Sequence, residues 1–281
     1  MCIVLDLRRR NLVEKIVFFG SIPHTMLKNF FLGLKKSALM NKFAPAETRQ
    51  GAFEYFKDKA DKALKKNEMD VFNSTIATLL ERFTVAADNS IKDADEKNTI
   101  KNYMISLGEP VIAPLKDFIR KSHVVAYPIE ILFALIDEKS ALEFLDGMLT
   151  TEDTLFDDPI VEKRIEVLKH FAGSTHFNVL SKVSTYFNDS DDRLVIASIR
   201  FVRDYVFDDK NPNVENIQEI MMNKFLDEET SMRIKIEILN VFIEQEWKIT
   251  ISKKRFEEML PSGYFINAQG YVKVINTAVK A

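Results

Sequence analysis

The sequence predicts an all-α fold: an α-solenoid of antiparallel helix pairs, with a small β-hairpin at its C-terminal end. Three observations carry this. Apolar residues recur at spacings of three and four through most of the chain, the period of a helix that buries one face. Eight Gly and eight Pro in 281 residues are too few for turn-rich β folds or for folds with several Gly loops around a nucleotide. Acidic or Pro-containing turns restart the helical pattern near Ser122, Pro159, Asp191 and Glu228, in steps of 37, 32 and 37 residues. Two helices per unit at such a period mark a stacked array.

In chain order, residues 1–25 (MCIVLDLRRRNLVEKIVFFGSIPHT) differ from the rest, with short apolar runs around a basic centre. They are read either as an element covering the first repeat or as an extension ahead of a start at Met26. Residues 26–44 predict a basic amphipathic helix, with Met26, Leu27, Phe30, Phe31 and Leu34 on one side and Lys28, Lys35 and Lys36 mostly on the other. Such a helix shields the open end of an array. Residues 26–43 also have the make-up of a helix that lies on an anionic membrane surface.

Pro45 opens a helix running to about Lys66, and a second follows from about Met69 to Phe83. The link is short, so the two should be antiparallel neighbours. Ala86 to Asp95 reads as a polar loop or a frayed helix start, and the next helix stops at Gly108, a suitable left-handed terminus. Gly108 to Leu149 predicts three short helices with breaks at Ser122/His123 and Asp137/Glu138. The middle one is apolar nearly all round, which calls for cover on all sides, and Pro128 inside it predicts a kink.

Asp158 and Pro159 start the next helix, ended by Gly173, with a partner from about His176 to Phe187. Asp191 or Asp192 caps another, whose partner is Ile217 to Phe225, and Glu228 to Gln245 with Ser252 to Leu260 forms the last pair. Aromatic and β-branched residues flank Asn267 to Gly270, the signature of a hairpin. Two strands are marginal alone, so the hairpin should pack on the last helix pair.

The repeated pattern is an acidic or Pro-containing turn, a first helix with basic residues in its first turns, and a second, Leu-rich helix. EETSMRIKIEILNVF carries it with Arg233 and Lys235, DDPIVEKRIEVLKHF with Lys163 and Arg164, and SDDRLVIASIRFV with Arg193. Over residues 45–260 this resembles the HEAT-repeat family, including the phycobilisome-lyase-type repeats of bacterial proteins. The Leu260-Pro261-Ser262-Gly263 element is similar to the ending of stand-alone bacterial HEAT proteins. SHVVAYPIEILFAL departs from the pattern by having no basic residue. The resemblance implies five to six helix pairs in a right-handed superhelix that binds partners on its concave face, and no assigned activity. Some HEAT-like proteins are alkylpurine DNA glycosylases, which makes a nucleic-acid enzyme the alternative reading.

The charge of −3 hides an asymmetry. Residues 1–44 hold eight Lys/Arg and two Asp/Glu, net +6, which leaves −9 for the rest. An acidic body repels phosphate backbones, so a nucleic-acid partner is disfavoured. A single Cys, Cys2, leaves no intramolecular disulfide and no multi-thiolate metal site, and a cytoplasmic setting follows as the expectation. No Gly-rich phosphate loop, G-x-S-x-G, H-E-x-x-H or C-x-x-C motif occurs. His170 and His176, near Asp157 and Asp158, are six apart and do not share a helical face.

The candidate partner-binding residues are therefore charged. Asp157, Asp158, Asp191 and Asp192 stand at turns, where they either cap helices or build an acidic ridge for a basic partner. Arg193, Arg200 and Arg203 form a small basic patch, joined by Arg233 in the equivalent first turn of the last pair. The expectation is a monomeric, non-enzymatic scaffold for a protein or peptide, with no cofactor.

Overall fold

The computed structural model describes residues 24–152, 157–173, 177–207 and 214–275. Among them are thirteen α-helices and one two-stranded antiparallel sheet. The chain divides into two compact units, residues 1–107 and 108–281. Gly108 has φ +72°, a value open to Gly because it has no Cβ. The expectations for residues 1–23 lie outside the described residues.

The first unit holds α1 (His24–Met40), α2 (Ala46–Lys65), α3 (Met69–Glu81) and α4 (Ser90–Leu107). α2 packs on both α1 and α3. Phe53, Phe56, Ala60 and Ala63 of α2 meet Phe72, Ile76, Leu79 and Leu80 of α3 in a buried core. Asn89 accepts the Lys92 N–H at 3.0 Å, which sets the start of α4 inside the polar stretch. α1 turns Leu39 inward but leaves Met26, Phe30, Phe31 and Leu34 exposed.

The second unit begins with α5 (Ile112–Lys121), α6 (Ala126–Leu135) and α7 (Glu138–Asp146), each packed on the next. The breaks fall where the sequence places them. The kink does not, because α6 starts at Ala126 and Pro128 stands in its first turn, where an N–H has no intrahelical acceptor to lose. Nor is α6 covered all round. Ile129, Ile131 and Leu132 are buried, whereas Leu135 is half-buried and Ala134 exposed.

Then follow α8 (Asp158–Lys169), α9 (Phe177–Thr185), α10 (Asp192–Asp204), α11 (Val214–Leu226), α12 (Met232–Glu244) and α13 (Lys253–Glu258). α10 lies between α8 and α12, so these three alternate helices stand in one row, while α9 packs on α10 and α11 on α12. Strands β1 (Tyr264–Ile266) and β2 (Val272–Val274) pair with Phe265 opposite Lys273. The hairpin is anchored, since Ile249 N–H, just past α12, donates to Gly270 C=O at 2.9 Å and β2 packs on α12.

A recurring device closes the helix C-termini, whose last carbonyls lack intrahelical donors. Lys163 of α8 donates to Ile119 and Arg120 C=O of α5 at 2.6 and 2.9 Å. Lys182 of α9 donates to Asp146 C=O of α7 at 2.7 Å. Gln245 donates to Arg203 C=O of α10 at 2.6 Å, and Arg255 of α13 to Leu226 C=O of α11 at 3.3 Å. Each donor comes from 29 to 44 residues further along the chain.

Candidate functional site

The charged candidates gather on the row α8, α10 and α12. Asp157 caps α8, accepting the Ile160 N–H at 3.3 Å, and Asp191 caps α10, accepting the Arg193 N–H at 2.8 Å. A carboxylate here satisfies a free N–H and complements the positive helix end. Asp192 accepts from the Ser231 hydroxyl at 3.2 Å, which ties the start of α10 to that of α12.

Arg193 is the hub of the cluster. Its guanidinium donates to Asp191 at 2.7 Å, to Glu162 at 2.9 Å and to Asp158. These hydrogen bonds, that to Asp191 foremost, push the Arg193 pKa further up and hold the Asp191 carboxyl below its ordinary value. Through Arg193, the carboxylates at the starts of α8 and α10 form one network. Its members are largely exposed, so it fixes register between neighbouring helices more than it adds stability.

Further along α10, Leu194, Val195, Ile199 and Val202 are buried, which leaves Arg193, Arg200 and Arg203 on the opposite side of the helix. Arg200 donates to Glu237 of α12 through Nε at 3.0 Å and again through Nη2. Arg203 pairs with the adjacent Asp204 at 2.8 Å. Arg233 is exposed and makes no ion pair among the described residues.

All four arginines line a cleft of about 410 Å³ on the α8–α10–α12 row. Its floor is apolar, from Ile165 and Leu168 of α8 and Ile196, Ala197 and Phe201 of α10. Lys169 adds a fifth cation to the rim and Asp204 is the acid of the lining. Such a cleft can take an apolar side chain and hold a carboxylate beside it. Asp157, Asp158, Asp191 and Asp192 stand at the helix N-termini and do not line it.

Lys169, Glu237 and the apolar floor are functional neighbours that sequence reasoning missed. One signal was legible. Arg200 and Glu237 are 37 residues apart, one of the repeat steps, so they occupy corresponding stretches of stacked helices.

His170 stacks on the Phe133 ring, centroids 5.2 Å apart, with Glu166 Oε1 3.7 Å from its Nε2. His176, Asp153, Asp208 and Asp209 lie outside the described residues. Among the described residues no group of three His, Cys, Asp or Glu side chains is placed to hold a metal ion. Among them also, no helix is long and apolar enough to cross a membrane. No protein-family model, no curated protein and no solved structure matches the chain.

Proposed function

We propose that the protein is a non-enzymatic scaffold, a solenoid of HEAT-like helix pairs that seats a peptide segment of a protein partner in the cleft across α8, α10 and α12. The row of alternate helices α8, α10 and α12 supports the solenoid reading, as do polar bridges that join residues about one repeat apart. One observation carries the binding reading: an apolar floor under a cationic rim, with Arg233 exposed and without an ion pair among the described residues. The segment it fits is acidic and apolar, with an aliphatic or aromatic side chain on Leu168, Ile196 and Phe201 and a carboxylate on Arg233.

The acids at the helix N-termini do not compete for this role. Their oxygens already serve backbone N–H groups and Arg193. A nucleic-acid backbone would meet the same acids beside the cleft, which disfavours the glycosylase alternative.

Fluorescence anisotropy with two labelled peptides, one acidic-apolar and one basic-apolar, tests the proposal. The acidic peptide should bind saturably and more weakly at high salt. Ala197→Glu, which fills the half-buried floor with a carboxylate, should abolish binding, and Arg233→Glu should weaken it about tenfold, the loss of one charge-assisted contact. Equal binding by Ala197→Glu and the parent chain would sink the proposal, as would excision of bases from alkylated DNA.

A further inference from the structure

α1 carries a second surface, of different chemistry. Met26, Phe30 and Leu34 recur at every fourth position and are 65%, 59% and 49% exposed, with Phe31 beside them at 54%. Phe43, just beyond the helix, is 71% exposed. An amphipathic helix ordinarily turns such a stripe inward. Here the inward side is the one with Leu39, and the stripe faces solvent.

The charge around the stripe is of one sign. From Met26 to Ala46 the sequence has four lysines and no acid. Lys42 lies 4.7 Å from the Phe43 ring centroid and Lys35 5.8 Å from that of Tyr55, so these two ammonium groups sit on aromatic faces, with no carboxylate partner among the described residues. Lys36 is held by Glu81 at 2.6 Å.

We infer that α1 docks the protein on anionic phospholipid bilayers: Met26, Phe30, Phe31, Leu34 and Phe43 enter the acyl boundary and Lys35 and Lys42 meet the headgroups. Charge selects this occupant over a second copy. A two-fold pairing would set the same lysine-bearing segment against itself. A single projecting stripe also suits a soft surface, which conforms to it, better than a protein partner, which needs a matching groove.

Co-sedimentation of the full chain with vesicles tests this. Vesicles of phosphatidylcholine with phosphatidylserine should retain the protein, and vesicles of phosphatidylcholine alone should retain much less. Phe30→Ser with Leu34→Ser should weaken retention about tenfold or more, as expected for removing two large apolar groups from the boundary. Lys35→Gln with Lys42→Gln should flatten the salt dependence. Circular dichroism checks that these variants keep their helices. Phe30→Trp, which preserves the stripe, should be quenched by brominated lipid above the background of the buried Trp247.

Equal retention of the serine variant would overturn the inference. So would a parent chain that ignores anionic vesicles, or a stripe whose loss dissolves a dimer and leaves vesicle binding unchanged.

Discussion

Arg49 of α2 grips Glu96 of α4 with both carboxylate oxygens engaged, Nε and Nη2 each at 2.8 Å, across 47 residues of sequence. The pair is the visible part of a buried network. Arg82, 1% exposed, donates to Asp93, to Glu96 at 3.0 Å and to Val85 C=O at 2.7 Å. Lys97 lies 2.8 Å from Asp93, and Arg49 also reaches Ala44 C=O beyond the end of α1. Buried charges survive when paired and hydrogen-bonded, and here three helices and a turn share the arrangement.

Removing one partner should therefore cost far more than the pair contributes. Glu96→Ala leaves Arg49 and Arg82 under-compensated in the interior and should destabilise the first unit by about 3–5 kcal/mol in urea unfolding. A loss below about 1 kcal/mol would mean that water reaches the cluster.

The same carboxylates set an acid limit. Burial acts to raise the pKa of Asp93 and Glu96, but hydrogen bonds from Lys97 and Arg82 to the first, and from Arg49 and Arg82 to the second, outweigh it and leave both below their ordinary values of 3.8 and 4.5. A depressed carboxyl contributes stability that is complete above the unfolded-state pKa and is lost as pH falls through the folded one. Stability should thus be level above about pH 5 and decline below about pH 4. Glu96→Gln, less stable throughout, should show a shallower decline when urea midpoints are compared across that range.

Gln245 binds three carbonyls at the end of α10, those of Arg203, Tyr205 and Val202 at 2.6, 3.2 and 3.4 Å. Gln245→Ala should cost about 1–3 kcal/mol, the penalty for leaving part-buried acceptors unmade. Amide exchange in α10 should rise along with it. A stability change without that rise would place the effect elsewhere.

In α6, Leu132 is fully buried and Leu135 only half-buried. Leu132→Ala should cost about 2–5 kcal/mol through the cavity it opens. Leu135→Ala should cost visibly less, because water fills part of the space. Equal thermal shifts for the two would contradict the observed burial of α6.

Local patterns by themselves determined most of the elements. The three- and four-residue apolar spacing marks α5, α7, α8, α10 and α12. Asp157 and Asp191 are legible as caps because a short acid before an apolar run has a nearby N–H to satisfy. Gly108 and the turn at 267–270 are legible because their backbone needs a residue such as Gly. These are interactions within a few residues of sequence, so the sequence displays them.

Tertiary structure decided the partners of long polar side chains and the cover of each apolar face. Lys163 and Gln245 look like ordinary surface residues until a neighbouring helix presents its last carbonyls. The cleft exists because α8, α10 and α12 stand in one row, bringing Arg193, Arg200, Arg203 and Arg233 to one place. The stripe on α1 shows the limit most plainly. Periodicity states that Met26, Phe30 and Leu34 share a face, but which way that face turns depends on the surface that α2 offers across the turn at 41–45, which the period of α1 does not contain.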